Sequence, residues 1–366
     1  MTLAPWPEEE IRSFASIGTG AKDTKDRVTS GKYPFFVRSQ KVERINSWSF
    51  DGEAVLTAGD GVGTGKVFHY IDGKFDYHQR VYRISDFRSD VSGRYFFHQF
   101  SRNFLARIES LTAKSSVDSV RMETIAGMRI PLPERAEQDR IVQAVDDVDD
   151  LIATLERLIA KKQAIKQGMM QQLLSGRARL PGFASPWSEL SLGNVARIKT
   201  GFRNNQDKQA GGKYPFFVRS ATVERIDSYS YDCEAILVPG EGGIGSIFHY
   251  INGKFEVHQR VYKISDFAPN ASGRFIYYFM RQYFGVHAME NSVKATVDSL
   301  RLPTFKNFQL RLPSRDEQDA IVCFLDDAEA EVATLKSRLA KARAIKAGMM
   351  QQLLTGRTRL PLEAVS

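Results

Sequence analysis

The chain is written twice. Gly31–Ser39, "GKYPFFVRS", returns unchanged at Gly212–Ser220, about 180 positions on. "FHYIDGKFDYHQRVYRISDF" from Phe68 returns as "FHYINGKFEVHQRVYKISDF" from Phe248, and "KSSVDSVR" from Lys114 as "KATVDSLR" from Lys294. "LPERAEQDRIV" from Leu132 becomes "LPSRDEQDAIV" from Leu312, and "AIKQGMMQQLLSGRARLP" from Ala164 becomes "AIKAGMMQQLLTGRTRLP" from Ala344. The register slips by one residue in a single glycine-rich stretch, where "GDGVGTGKVF" becomes "GEGGIGSIF". Internal repeats constrain a fold before any local signal does, and two long units are too few for a solenoid. The order is A–B–A′–B′, with boundaries at 1–133, 134–180, 181–313 and 314–366.

The A units are rich in Val, Ile, Phe and Tyr in short alternating runs such as "KVFHYI" and "QRVYRI". They read as mainly β domains carrying a few helices, near 93–109 and 273–290, so the fold class is α+β. "YIDGKF" and "YINGKF" carry the Asp-Gly and Asn-Gly signature of hairpin turns. The B units switch period. Ile141, Val145, Val148, Ile152, Leu155 and Ile159 step by four and three, as do Ile321, Leu325, Ala328, Val332, Leu335 and Leu339. That is a coiled-coil seam, running on to a stop at Gly176 or Gly356. A helix of about 40 residues is about 60 Å long, a spacer rather than a domain element.

Charge orients the pair. The first half of each helix is acidic (Asp146, Asp147, Asp149 and Asp150; Asp326, Asp327, Glu329 and Glu331) and the second basic (Arg157, Lys161, Lys162 and Lys166; Lys336, Arg338, Lys341, Arg343 and Lys346). Antiparallel packing sets acidic halves against basic ones. It implies a pseudo-twofold axis and a circular organisation, with Trp6 in the place of Trp187 and the termini near each other.

Net charge is +8, which favours a polyanionic partner. The two cysteines, Cys233 and Cys323, have no cysteine at the matching repeat positions, so neither a disulfide framework nor a zinc cluster is expected. No apolar run spans a bilayer, and "MTLAPWPEEE" is too acidic for a signal peptide, so the expected location is the cytoplasm. "GDGVGTGKVF" lacks phosphate-loop spacing, and its second copy lacks the lysine. His69, His78, His249 and His258 have no acidic or thiol companions for a metal. Lys114 and Asp118, like Lys294 and Asp298, have no histidine to complete a triad.

The basic residues are the better lead. Lys22, Lys25, Arg27, Lys32, Arg38 and Ser39, then Lys66, His78 and Arg80, recur in kind as Arg203, Lys208, Lys213, Arg219 and Ser220, then Ser246, His258 and Arg260. Arginine reads guanine and lysine meets phosphate, so these are the candidate DNA contacts. Tyr33, Phe35 and Phe36, with Tyr214, Phe216 and Phe217, read as core. At the helix ends Met169, Met170, Leu173 and Leu174, with Met349, Met350, Leu353 and Leu354, form a methionine-rich apolar surface suited to a protein partner.

With "LPxRxEQDxIV" opening each long helix and "GMMQQLLxGRxRLP" closing it, the chain resembles, over essentially its whole length, the specificity subunit of Type I restriction-modification enzymes. The resemblance implies two target recognition domains, each reading half of a bipartite double-stranded DNA site, and two spacer helices. It further implies docking of two modification subunits, which carry S-adenosylmethionine, and of restriction subunits in the full complex. No cofactor is expected on this chain, and no catalysis. Recognition domains in this family commonly differ from each other; here they are near copies, so the implied target is an interrupted, imperfect palindrome.

Overall fold

The computed structural model describes residues 5–111, 119–291 and 299–360, so Lys114, Asp118, Lys294 and Asp298 lie outside the described residues. It divides into two compact units, Met1–Leu155 with Arg338–Ser366, and Glu156–Ser337. Each therefore holds one A region, the first half of one long helix and the second half of the other.

The first unit contains β1 (Glu8–Glu10), β2 (Ser16–Thr19), β3 (Tyr33–Phe36), β4 (Glu43–Ile45), β5 (Phe50–Ala58), β6 (Phe68–Tyr77), β7 (Val81–Ser85), α1 (Gly93–Leu111), α2 (Met122–Ala126), β8 (Arg129–Pro131) and the start of α3 (Arg135–Leu174). Six strands form one sheet in the order β2-β7-β5-β6-β3-β4, with only β3 and β6 parallel; β1 pairs with β8 in a second, small sheet. The helix α1 buries Tyr95, Phe96, Phe100, Phe104 and Ile108, and the steps of four from Phe96 lay one largely aromatic stripe on Val55 and Ile84 of the sheet. Phe100 and Phe104 stack at 4.4 Å. On the sheet, Phe35 and Phe36 are buried, as their apolar character demands.

The second unit repeats the plan with β9 (Ser188–Ser191), α4 (Leu192–Val195), β10 (Arg197–Thr200), β11 (Tyr214–Phe217), β12 (Glu224–Ile226), β13 (Tyr231–Pro239), β14 (His249–Val257), β15 (Val261–Ser265), α5 (Gly273–Glu290), α6 (Leu302–Lys306), β16 (Gln309–Leu312) and α7 (Arg315–Leu353). Its sheet order is β10-β15-β13-β14-β11-β12, the same order in equivalent strands.

Two expectations change. "YIDGKF" is no hairpin. Asp72 and Gly73 sit inside β6, which runs without a break opposite β5, with Gly73 facing Gly52. Both glycines have φ near +140°, so the two strands bend together there without turning back. In the second unit Cys233 faces Gly253 at that point. The chain reverses instead in the glycine-rich stretch between β5 and β6, with Gly61 and Gly65 at positive φ.

The helix-end apolar residues are core, not surface. Met170, Leu173 and Leu174 join the second unit's hydrophobic cluster with Phe275 and Phe279; Leu353 and Leu354 join the first unit's with Tyr95 and Phe100. Met349 and Met350 are half-buried against that first core, and Met169 is half-buried. Each helix tail plugs an A region: Met170, Leu173, Leu174, Leu353 and Leu354 are buried there, while Met169, Met349 and Met350 keep part of their surface exposed.

The charge pattern does what it predicts. In the first unit Lys346 Nζ lies 2.7 Å from Asp149 Oδ2; in the second, Lys162 pairs with Glu331 at 2.7 Å and Lys166 with Glu329 at 2.9 Å. In the second unit numbers rise along α3 as they fall along α7, which is antiparallel pairing. The seam residues Ile141, Val145, Leu155 and Ile159, like Ile321, Leu325, Val332 and Leu335, are buried. Gly176 and Gly356 close the helices at positive φ.

The first unit closes on its own distant segment. Trp6 lies beside Gly356, and Arg359 lies over the Trp6 ring and 3.6 Å from Glu137. In the second unit Trp187, Gly176, Arg179 and Glu317 repeat this seal within one stretch of chain, Arg179 donating to the fully buried Glu317 carboxylate at 2.5 and 2.7 Å. Among the described residues no helix is long and apolar enough to cross a membrane.

Candidate nucleic-acid interface

In each unit three segments that follow or connect interior strands of the large sheet come together: the end of "GKYPFFVRS", the glycine-rich stretch and the "HQR" triplet. "HQR" is the turn from β6 to β7 rather than a strand. His78 is buried there, accepting the Arg80 backbone N–H at its Nδ1 (2.9 Å) and donating its own N–H to the Phe36 carbonyl. His258 is held the same way, its Nδ1 accepting from Arg260 N–H at 3.0 Å. Burial, with nearby arginines adding to it, lowers the pKa of both rings. The two histidines are therefore neutral braces of the turn, with little side-chain surface exposed. Their neighbours Gln79 and Arg80, with Gln259 and Arg260, are exposed.

His69 and His249 are braces too. The Nε2 of each meets the carbonyl of Ser39 or Ser220 at 3.0 Å, fixing the end of the repeated segment. Among the described residues no cluster could hold a metal ion.

Arg38 and Arg80 are brought together by a carboxylate that sequence reasoning passed over. Arg38 Nη1 donates to Asp60 Oδ1 at 2.8 Å, and Arg80 Nη1 lies 3.6 Å from Asp60 Oδ2. In the second unit Arg219 Nη1 meets Glu241 Oε2 at 3.2 Å, and Arg260 Nη1 meets Glu241 Oε1 at 3.0 Å. The turn is locked to the loop by Gly59 N–H donating to the Arg80 carbonyl at 2.8 Å. At Gly63 a Cβ would stand 2.5 Å from the Arg38 carbonyl, so only glycine lets the loop lie this close. The signal was present: an acid after the first glycine of both glycine-rich stretches.

Lys22 is bridged to His78, and Arg203 to His258, which puts both cations beside this cluster. Arg203 is partly engaged, donating to buried Glu256 at 3.4 Å and to Ser228 at 3.2 Å. Ser39 and Ser220 donate to nearby carbonyls. Lys25, Lys32, Lys66, Lys213 and Ser246 are exposed, Lys66 and Ser246 on the glycine-rich stretches. Arg27 and Lys208 face Glu43 and Glu224 at 3.8 and 3.2 Å. A cleft beside Asp60 and Arg80 is also lined by Arg121, which the repeated "DSVR" and "DSLR" could have flagged.

Two sheets of equivalent strand order, each ending in an acid-bridged arginine pair, define a duplicated recognition scaffold. The chain belongs to the family of the Type I restriction modification DNA specificity domain, whose model matches residues 4–167 and 184–343. It is 31% identical over 162 residues to the Type I restriction enzyme EcoDI specificity subunit of Escherichia coli, a match covering 44% of this chain and about a third (34%) of that relative's length. It is 21% identical to the MjaVIII specificity subunit of Methanocaldococcus jannaschii across 97% of this chain and 93% of that protein. The fold matches the crystal structure of the Type I restriction-modification S subunit from M. genitalium with a TM-score of 0.70, 15% identity, and coverage of 95% and 96%. A chain from a Type I restriction-modification complex matches at a TM-score of 0.57 and 17% identity, covering 98% of this chain and all of that one. Relatives so named are the specificity components of their enzymes, and this chain is a DNA-specificity subunit rather than a catalytic one.

Proposed function

We propose that each β domain reads one half of a bipartite double-stranded DNA site, and that the two half-sites are closely related and inverted. The acid-bridged arginine pair, built with the same guanidinium atoms in both units, carries this reading. Two heads with the same donors read similar bases, and inverted half-sites follow from pairing two equivalent readers on one duplex. Arg38, Arg80 and Arg121, with Arg219, Arg260 and Arg301, are the proposed readers. Lys22, Lys25, Arg27, Lys32 and Lys66, with Arg203, Lys208 and Lys213, are the proposed phosphate contacts, and Ser39, Ser220 and Ser246 lie among them. The copies differ at Gln40/Ala221, Lys41/Thr222 and across the glycine-rich stretch, which makes the palindrome imperfect.

The long helices set the half-site spacing and dock two modification subunits carrying S-adenosylmethionine, with restriction subunits completing the complex. Ile165 and Ile345 support that docking: they occupy matching positions on α3 and α7 and stand exposed at 45% and 56%. Sequencing methylated bases in cells that express this chain with its modification partner tests the reading. An interrupted near-palindrome is expected, and two unrelated half-sites would refute it.

A further inference from the structure

A carboxylate on a DNA-facing surface repels phosphate, yet both units keep one at the same place. Asp60 and Glu241 differ in length, and the stretch around them differs in both sequence and register. What is shared is the bonding. Each carboxylate uses both oxygens, one per arginine, and each arginine is taken at Nη1. Among the described residues the Nε and Nη2 atoms of Arg38, Arg80, Arg219 and Arg260 make no hydrogen bond. That edge is a two-donor fork of the kind that matches guanine O6 and N7.

The carboxylates are themselves well held. Their side chains are 20% and 21% exposed, against 46–64% for the four arginines. Asp60 forms a β-bridge with Ser119, and Glu241 with Ser299. A half-buried acid between two more exposed cations restricts both partners, as a prearranged site requires. It also offsets the repulsion between two guanidinium groups aimed at one patch of surface.

We propose that Asp60 and Glu241 are positioning residues for sequence specificity: each holds two arginines by Nη1 and presents their free edges to the bases of one half-site. This rests on the reading that each β domain takes one half-site, and it adds that a residue of the wrong charge for DNA sharpens the choice. The plain alternative is a counter-charge that only offsets local repulsion. The two differ in sign. Removing a counter-charge strengthens binding to every duplex equally. Removing a positioning acid strengthens non-target binding while blurring the target.

The test uses the full chain with its modification subunit, selected on a randomised duplex library and then titrated with the selected duplex and with versions scrambled in either half. Asp60→Asn should bind scrambled DNA as well as or better than the wild type. Its preference for the intact half-site read by the first domain should fall about tenfold, the worth of one lost bidentate contact. Preference at the other half-site should stand. Glu241→Gln should give the mirror result, and it keeps the test sound if Asp60→Asn folds poorly. Asp60→Glu, the acid of the second copy, should restore the preference. Equal tightening on all duplexes with the half-site preference intact overturns the inference alone. A wild-type chain with no sequence preference overturns the underlying reading and the inference with it.

Discussion

Leu354 lies about 250 positions from the α1 helix it supports, so cutting it back asks whether the first unit is truly closed by the chain's far segment. Its side chain is 1% exposed within the cluster of Tyr95, Phe96, Phe100 and Phe104, and its carbonyl accepts a hydrogen bond from Gln99 Nε2 at 2.7 Å. Leu354→Ala leaves that backbone bond in place and removes only packing, so the cost is transfer plus cavity, about 2–5 kcal/mol. At about 3 kcal/mol a unit of this size should melt roughly 6–12 °C lower. Because the two units need not unfold together, the assay is hydrogen exchange resolved by peptide, alongside calorimetry. Protection should fall in α1 and β5 and hold in α5 and β13. Leu174→Ala, the matching core residue of the second unit, should reverse the pattern. Ile345→Ala, on an exposed site, should change stability by less than about 0.5 kcal/mol. If Leu354→Ala leaves α1 protection unchanged, the far segment is not part of that core.

Three further outcomes follow from the same packing. Burial alone would raise the Glu329 pKa, but hydrogen bonds from Lys166 and Arg281 outweigh it and hold it lowered from 4.5 to about 2. Its stabilising effect is therefore complete above pH 4.5 and is lost as pH falls towards 2; Glu329→Gln should flatten that limb in urea melts, by about 2 kcal/mol after allowing for partial exposure. His98 is held neutral, its pKa lowered from 6.5 to about 4 by burial and then by Arg94, so the first unit loses stability as pH falls between these values. His98→Tyr installs the residue of the second copy, where Tyr278 donates to Asp326 at 2.5 Å, and should raise the melting temperature at pH 5 more than at pH 8. A circular permutant opened at Gly182, which is exposed with no contact for an added Cβ, and joined through a short linker across the Trp6–Gly356 seal should fold with native circular dichroism; an unfolded product would contradict the closure.

What the sequence made legible was periodic or duplicated. The seam from Ile141 to Ile159, the stops at Gly176 and Gly356 and the acidic-to-basic halves are local patterns with one physical meaning each. The errors arose where tertiary context decides. Asp72-Gly73 carries turn chemistry, but β5 pairs with it residue for residue and keeps it extended. Met170 and Leu173 continue an amphipathic helix whose apolar end is exposed or buried only according to what packs over it, here α5. Asp60 was missed because a lone acid among basic residues has no period; its role exists only once Arg38 and Arg80, from two other segments, arrive at its oxygens. His78 misled because a polar residue in a basic motif reads as functional until its ring is seen to accept a backbone N–H.

The seal of Trp6 against Gly356 and Arg359 also orders events in time. The second unit occupies one uninterrupted stretch, Glu156–Ser337, and can form as soon as that stretch leaves the ribosome. The first must wait, with Phe100 and Phe104 already synthesised, until residues 349–360 arrive to cover them. Translation thus finishes the second reader before the first, although the first is made earlier. A chain interrupted anywhere before Leu353 leaves an aromatic face of the first reader uncovered, the kind of surface that chaperones and proteases detect.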